Sequence, residues 1–308
     1  MHSYFYLKQR KDYPMNLLIH KLKKNITYLI PLVILILLYL FNNFSINGSS
    51  YNFPPNNMLI HYIDVGQGDC ILVQVNNKNL LIDSGPSSSK NKLIKYLKKF
   101  NISKLDYVIA THPHEDHIGN MSTIINSFNI VNFYAPKIYD NSKAFEDMIY
   151  SLKNKHLKIL PIIRGTDSID LGDNINVSIF SPINDFYDNL NNYSTVFKIK
   201  YGSTSFLFTG DAEKEVEQDI LNHNDDISAD VIKIGHHGST TSTSSNFLKA
   251  VNPSTAIISV GKNNIYGHPN KGTLDLLIQN KLSLYRTDIN KNILLISDGK
   301  TIKKIKNL

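Results

Sequence analysis

The sequence predicts an α+β fold in which two mostly antiparallel β-sheets pack face to face with helices outside both, preceded by one membrane-spanning helix. Short apolar segments with polar turns between them fill residues 58–83 and 159–209, which is typical of antiparallel strands. After each of these stretches, short apolar runs alternate with amphipathic segments of helical period. Two sheets, each covered by helices, accommodate this order.

The membrane-spanning helix is predicted from residues 26–41, which are uncharged and follow Lys21, Lys23 and Lys24. The run is a little shorter than the roughly 20 residues that span a bilayer, but apolar residues flank it on both sides. Because basic residues stay on the cytoplasmic side, we expect residues 1–25 to form a basic cytoplasmic arm and residues 26–45 a single-pass anchor in the cell membrane. A cleaved signal peptide is the alternative, against which no Ala-x-Ala site follows the run.

The net charge of +7 does not by itself indicate a nucleic-acid-binding domain. Residues 1–24 contain six basic residues and one Asp, so five of the seven net positive charges lie in the arm. The remainder of the chain is therefore close to neutral.

Residues 46–57 are rich in Asn, Ser, Gly and Pro and are predicted to be a linker, followed by one domain over residues 58–308. In the first half of this domain the pattern predicts strands at 58–64, 70–75, 80–83, 105–110 and 131–135 and helices at 90–100, 118–128 and 142–153. In the second half it predicts strands at 159–163, 169–171, 175–180, 194–201, 204–209, 230–234, 255–260, 283–286, 292–297 and 301–305 and helices at 213–222, 244–250 and 270–280.

The most informative stretch, residues 105–119, reads LDYVIATHPHEDHIG. An apolar strand here leads into His112, His114, Asp116 and His117, which are the side-chain types that bind zinc, manganese or iron. Four ligands exceed what one tetrahedral ion needs from one segment, so two ions are expected. His112 and His114 lie on one side of an extended segment and could hold the first ion, while Asp116 and His117 turn toward the second.

The pattern H-x-H-x-D-H at 112–117 is accompanied by DVGQGD at 64–69, LIDSG at 81–85, FTGD at 208–211, HHGS at 236–239 and YGHP at 266–269. Together these motifs resemble the metallo-β-lactamase fold family, and within it the extracytoplasmic hydrolase domain of ComEC-type competence proteins. The resemblance covers about residues 58–306. It implies a four-layer αββα sandwich, two divalent ions, zinc or manganese, and metal-assisted hydrolysis.

Further site residues follow strands in the same way as the first cluster. We expect Asp211 to bridge the two ions and His236 to be the sixth ligand, with His237 either a ligand in its place or a hydrogen-bond donor to substrate. The resemblance implies that Asp83 orients a ligand histidine, that Ser239 contacts phosphate, and that His268 acts on the substrate beside the catalytic Asp116. Asn192 occupies the position where a histidine normally completes the first metal shell.

The resemblance implies a phosphodiesterase or nuclease that acts on DNA outside the membrane, in DNA uptake or processing. One membrane helix cannot form a DNA channel. The alternatives are a cell-surface phosphoesterase for a small or choline-type ester, and a non-catalytic surface binding protein that contains metal. No obligate protein partner is evident from the sequence.

Overall fold

The computed structural model describes residues 29–36 and 56–305. Residues 29–36 are helical, and the rest of the predicted anchor, most of the linker and the entire basic arm lie outside the described residues. Within the described part of the chain, no helix combines the length and the apolar content needed to cross a bilayer. Every described strand lies in the unit that begins at Asn52.

The described strands form two sheets, which confirms the predicted α+β fold with a pair of sheets. The first sheet has the strand order β14-β13-β1-β2-β3-β4-β5-β6, and the second has the order β12-β11-β10-β9-β8-β7. The first contains β1 (Met58–Tyr62), β2 (Ile71–Val75), β3 (Lys78–Ile82), β4 (Lys104–Ile109), β5 (Asn129–Ala135), β6 (Ile159–Pro161), β13 (Ile293–Ser297) and β14 (Ile302–Lys304). The second contains β7 (Ile175–Ser181), β8 (Val196–Tyr201), β9 (Thr204–Phe208), β10 (Val231–Lys233), β11 (Thr255–Ile258) and β12 (Ser283–Arg286).

Both sheets are mixed, and the prediction that both are mostly antiparallel was confirmed for the first, in which four of the seven described strand pairs are antiparallel. It was wrong for the second, in which three of the five pairs between described strands are parallel. Strands β1, β2, β13 and β14 pair antiparallel, whereas β3 to β6 run parallel to one another. In the second sheet β7, β8 and β9 are antiparallel and β9 to β12 are parallel. When a helix joins two strands, it carries the chain back along the sheet, and the second strand then runs in the same direction as the first. The strands joined through helices therefore pair parallel.

The described helices of the domain are α1 (Lys90–Lys99), α2 (Glu115–Ile118), α3 (Met121–Ser127), α4 (Lys143–Asn154), α5 (Lys214–Asn222), α6 (Ser245–Val251), α7 (Lys271–Gln279) and α8 (Thr287–Asn290). Helices α1 and α4 to α7 begin and end within one residue of their predicted bounds, whereas α8 was not predicted. The predicted helix 118–128 corresponds to α3, which begins three residues later because the chain breaks at Gly119 and Asn120 after α2. The reason is a close approach: a Cβ at Gly119 would lie 2.4 Å from Ser87 N, and Asn120 Nδ2 donates to the carbonyl oxygen of Ser84 at 3.0 Å.

The predicted strand 169–171 is absent from the described structure, although Ile169 and Leu171 are buried in the core. Asp170 between them is held by side chains rather than by a strand ladder. Its backbone N donates to Tyr107 Oη at 3.3 Å, and its carbonyl oxygen accepts from Lys78 Nζ at 2.8 Å. Periodicity predicted the burial correctly but not the backbone pairing.

The main core lies between the two sheets, as the alternation of apolar residues predicts. Ile60 and Tyr62 of β1 belong to the same buried cluster as Phe197 of β8 and Phe206 of β9. The outer face of the first sheet packs on helices, since His61 Nδ1 lies 3.0 Å from Tyr96 Oη on α1. A second cluster packs α5, α6 and α7 on the outer face of the second sheet.

This arrangement brings the loops after the parallel strands to one edge of the sandwich. Asp83 follows β3, the 112–117 segment follows β4, Asp211 follows β9, and the histidine pair 236–237 follows β10. Crevices at the carboxyl ends of parallel strands are the usual binding sites of mixed α/β structures. All but a few of the predicted site residues therefore belong to a single edge.

Candidate metal centre

The segment between β4 and α2 presents its histidines in two orientations. His114 has extended backbone angles (φ −69°, ψ 147°) and precedes α2, so Asp116 and His117 lie in the first helical turn. His112 and His117 are buried, whereas His114 and Asp116 are partly exposed. The change from extended chain to helix turns the two pairs of side chains in different directions.

Four side-chain atoms from three loops converge beside α2. His237 Nε2 lies 3.1 Å from Asp116 Oδ2, 3.2 Å from Asp211 Oδ2 and 3.3 Å from His117 Nε2. His117 Nε2 is also 3.2 Å from Asp211 Oδ2. Ligand atoms that share a tetrahedral ion at about 2.0–2.2 Å lie roughly 3.3–3.6 Å apart, so these four atoms are slightly closer than that and are spaced closely enough to hold one ion.

The hydrogen bonds behind the two imidazoles fix their tautomers. His237 Nδ1 lies 2.9 Å from the carbonyl oxygen of Ser259, which can only accept, so this nitrogen carries hydrogen. His117 Nδ1 donates to Asp83 Oδ2 at 2.7 Å, and the same carboxylate accepts from Thr111 N at 2.8 Å and Thr111 Oγ1 at 2.7 Å. In the neutral rings, both Nε2 atoms are therefore bare lone pairs that face the carboxylates.

Lone pairs and carboxylates at such distances repel one another unless protons or a cation lie between them. Burial alone would lower the pKa of His237, but Asp211 and Asp116 raise it to about 10. Burial alone would also lower the pKa of His117. Asp211 and Asp83 outweigh this effect and raise the pKa of His117 well above its usual value. Two imidazole nitrogens and two carboxylates are a donor set that zinc and manganese accept, so Asp116, His117, Asp211 and His237 fit one divalent ion.

His112 and His114 form a separate pair beside this group. His112 Nε2 lies 3.1 Å from His114 Nδ1, and the His112 and His117 rings are 4.1 Å apart between centroids. Thr111 Oγ1 gives its hydrogen to Asp83 and so accepts from His112 Nδ1 at 3.1 Å, which leaves a lone pair on His112 Nε2 that faces His114 Nδ1. Within the described ranges, no group of three or more ligands includes either histidine, so the first metal position and the bridging role of Asp211 remain predictions.

His237, the alternative to the predicted sixth ligand His236, is the histidine that the structure brings into the group. His236 Nε2 is 3.9 Å from Asp211 Oδ2, and His236 Nδ1 lies 3.1 Å from Thr241 Oγ1 and 3.4 Å from Glu213 Oε1. The cause is the backbone of the turn Gly235–Gly238, where His236 (φ 48°) and His237 (φ 52°) are both left-handed. This turn directs the second histidine inward and the first toward the cavity.

Two other predicted site residues form hydrogen bonds away from the metal group. Asn192 Oδ1 accepts from Glu213 N at 3.1 Å and Asn192 Nδ2 donates to Glu215 Oε2 at 2.6 Å, so this side chain holds the start of α5. Ser239 Oγ lies 3.0 Å from Thr241 Oγ1 within its own loop. Neither residue lines the cavity beside the metal group, which has a volume of about 330 Å³.

His268 lines that cavity, as expected for a residue on the substrate side. Its ring lies 5.6 Å from the ring of His236 and 5.9 Å from the ring of Tyr266. Among the described residues, its buried Nδ1 has no hydrogen-bond partner. Burial, reinforced by the neighbouring histidines His236 and His237, lowers the pKa of His268.

The family model of the metallo-beta-lactamase superfamily matches residues 63–262, which contain the whole converging group. The chain belongs to this superfamily.

Relatives within the superfamily include competence proteins. The chain is 33% identical over 252 residues to ComE operon protein 3 of Bacillus subtilis, a match that covers 76% of this chain and 32% of the relative. It is 26% identical over 240 residues to competence protein ComA of Neisseria gonorrhoeae, covering 77% of this chain and 32% of the relative. The chain thus spans about a third of the length of these relatives.

The superfamily fold is also seen in solved structures. The metallo-beta-lactamase fold protein YhfI from Bacillus subtilis matches with a TM-score of 0.53 at 14% identity, over 78% of this chain and 99% of that one. At this identity the likeness concerns the fold alone.

Lys233 and Asp69 form a buried ion pair behind the metal group that was not predicted from the sequence. Lys233 is fully buried, with its Nζ 2.5 Å from Asp69 Oδ2, 2.8 Å from the carbonyl oxygen of Gly210 and 3.6 Å from Asp211 Oδ1. Burial lowers the pKa of Lys233, but Asp69 and Asp211 outweigh it and raise the pKa, so the ammonium stays charged. The signal was present in the sequence, since Lys233 interrupts an apolar strand and Asp69 ends the DVGQGD motif.

Proposed function

We propose that this chain is a metal-dependent phosphodiesterase that acts on DNA outside the cell membrane, to which residues 26–45 anchor it as a single-pass protein. The observation that carries the proposal is the convergence of Asp116, His117, Asp211 and His237 on one point, with the outer nitrogens of both histidines already bonded. Such a group has little use other than binding a cation. We further propose that His112 and His114 contribute to a second ion.

A bound divalent ion activates water and neutralises negative charge on phosphoryl oxygens. The residues of the chain supply the orientation. Asp83 fixes the His117 ring, and the carbonyl oxygen of Ser259 fixes the His237 ring. His268 faces the same cavity with a lowered pKa, so at neutral pH it is a neutral ring that donates a hydrogen bond to a phosphoryl oxygen rather than a strong acid.

The choice of DNA as substrate is supported by the similarity to ComE operon protein 3 and competence protein ComA. Charge gives it little support, because most of the positive charge lies in residues 1–24. A choline-type or other small phosphoester fits the same chemistry, and a non-catalytic metal-binding protein fits the same ligands. These alternatives are outcomes of the experiments below.

The first experiment is metal analysis of the chain purified without chelator, for which we expect one to two equivalents of zinc or manganese. A metal-free protein would contradict the proposal that this chain is a metal-dependent enzyme. The second is a substrate panel of single-stranded DNA, double-stranded DNA, RNA and phosphocholine esters with each metal added. Cleavage of a small ester with all nucleic acids intact would replace the proposed substrate and keep the proposed chemistry.

Asp211→Ala should abolish turnover of whichever substrate is cleaved, because it removes a carboxylate that contacts both histidines. Asp219→Ala is the matched control, since Asp219 is a carboxylate of α5 that bonds Asn184 at 2.9 Å and does not line the cavity. Equal activity of both variants would mean that a contaminating enzyme is responsible.

The membrane anchor rests on the basic cluster Lys21 to Lys24 and the uncharged run after it. Residues 29–36, the described part of that run, are helical and carry no charged side chain. Protease added to intact cells should degrade the domain. Degradation only after lysis would reverse the proposed topology.

A further inference from the structure

The loop that carries His268 also presents an aromatic ring at the mouth of the cavity. Tyr266 lines the cavity together with Asp116, Asp211 and His268, and 62% of its surface is exposed. Its ring is nearly parallel to that of His268, with an interplanar angle of 17° and 5.9 Å between centroids. This is the offset geometry that aromatic rings prefer, and most of the surface of the tyrosine is left to solvent.

Hydrogen bonds hold the backbone of the loop that carries this ring. Asn264 Nδ2 donates to the carbonyl oxygen of Gly261 at 2.9 Å and to that of His268 at 2.6 Å, while Asn264 Oδ1 accepts from His268 N at 3.0 Å. Gly261 N in turn donates to Gln67 Oε1 at 3.1 Å. The loop is therefore bonded both to itself and to the DVGQGD motif, so the position of its backbone is preorganised.

Single exposed apolar side chains are common on proteins and indicate nothing by themselves. The combination here is less ordinary, because the exposed ring lines the same cavity as the metal group. The rings of Tyr266, His268 and His236 all line this cavity and follow one another at centroid separations of 5.9 and 5.6 Å. A molecule whose phosphodiester lay at the metal group would extend along these rings and bring its adjoining group to Tyr266.

The charge of the domain bears on whether the phosphates or another part of a nucleic acid provide the affinity. A protein that binds nucleic acid through its phosphates needs several lysines or arginines along a groove. Only two of the seven net positive charges lie after residue 24, and acidic residues Glu115, Asp116 and Asp211 line the cavity. Affinity for a nucleic acid beyond what a bound ion supplies must therefore come from contacts other than pairing of phosphates with basic side chains.

We propose that Tyr266 is a stacking platform for a nucleobase, and that the site therefore takes single-stranded rather than duplex DNA. The inference rests on the proposed function and specifies its substrate class. A base in a duplex has both faces covered by its neighbours, whereas an unpaired base can stack on an exposed ring. Because stacking is not electrostatic, binding should also depend on salt less steeply than phosphate binding does.

The natural chain contains no Trp, so Tyr266→Trp creates a single fluorescent reporter at the platform. Oligothymidylate with uncleavable phosphorothioate links should quench this fluorescence, and an abasic oligomer of the same length should not. Tyr150→Trp is the matched control, because Tyr150 is 67% exposed on α4 and does not line the cavity. Equal quenching by both oligomers, or quenching by phosphocholine and not by oligothymidylate, would overturn the platform.

Kinetics give a second readout that does not use the reporter. Tyr266→Ala should reduce the preference in KM for the base-bearing oligomer over the abasic one by roughly 5- to 150-fold, the range for loss of one stacked base, whereas Tyr266→Phe keeps the ring and most of the preference. Cleavage of DNA with no quenching of the Trp reporter would refute the platform and leave the nuclease proposal intact. Quenching without cleavage would support the platform and refute the nuclease proposal, and the absence of both would refute both.

Discussion

Replacing Lys233 with Met tests the buried charge network behind the candidate metal centre. The ammonium is fully buried and lies 2.5 Å from Asp69 Oδ2 and 3.6 Å from Asp211 Oδ1. Methionine has a side chain of similar length and no charge, so the packing of β10 changes little. What the variant removes is the positive charge that compensates two buried carboxylates.

The expected loss is large, because removing one partner of a buried ion pair costs about 3–5 kcal/mol. That is a substantial part of the roughly 5–15 kcal/mol by which folded domains are stable. A domain of this size loses about 2–4 °C in Tm per kcal/mol, so we expect Tm to fall by roughly 6–20 °C. Adding Asp69→Asn removes the uncompensated charge and should recover about 1–3 kcal/mol.

Urea unfolding in the presence of a chelator measures these differences without a contribution from bound metal. The slope of the transition should stay constant while its midpoint shifts. Lys104→Met is the control, because Lys104 pairs with Asp106 at 2.7 Å but half of its side chain is exposed, and it should cost less than about 1 kcal/mol. The reasoning is refuted if Lys233→Met costs no more than Lys104→Met.

Three further predictions follow from the described contacts. Asp83→Asn should weaken metal binding about 10- to 100-fold because it loosens the His117 ring, and competition with a chelating dye measures this. His237→Ala should lose metal content while His236→Ala retains it, as elemental analysis would show; the reverse result would restore the original ligand assignment. Burial lowers the pKa of His61 from 6.5 to about 3, so the unfolded state takes up the proton first and stability falls as the pH drops below 6.5. Between pH 7 and pH 5 the free energy of unfolding of the unmodified chain should therefore fall by about 2 kcal/mol more than that of His61→Gln. Urea unfolding at both pH values measures this difference, and an equal loss in the two proteins would contradict it.

Much of the fold could be predicted because burial and periodicity are local properties. The strands 58–62 and 283–286 and the helix 143–154 all lie within two residues of the predicted bounds. The direction of pairing is not local, and β9 to β12 were misjudged for that reason. The break between α2 and α3 likewise depends on a distant loop that approaches Gly119.

The candidate site shows the same division. The segment 112–117 could be predicted as metal-binding from the sequence, because no structural role needs three histidines and an aspartate within six residues. The choice between His236 and His237 depends instead on two left-handed residues in succession, for which the sequence offered no glycine or asparagine as a signal. Lys233 and Asp69 are 164 residues apart, so their contact follows only from the register of two sheets.

The ligands of the proposed metal centre come from both layers of the sandwich. Asp116 and His117 follow β4 of the first sheet, and Asp211 and His237 follow β9 and β10 of the second. An ion that joined them would act as a non-covalent cross-link between segments up to 121 residues apart. Since it would bind the folded state alone, an ion at a hundred times its Kd would add about 2.7 kcal/mol to the free energy of unfolding. The metal supply of the surroundings would then set the folded fraction of the domain as well as its turnover.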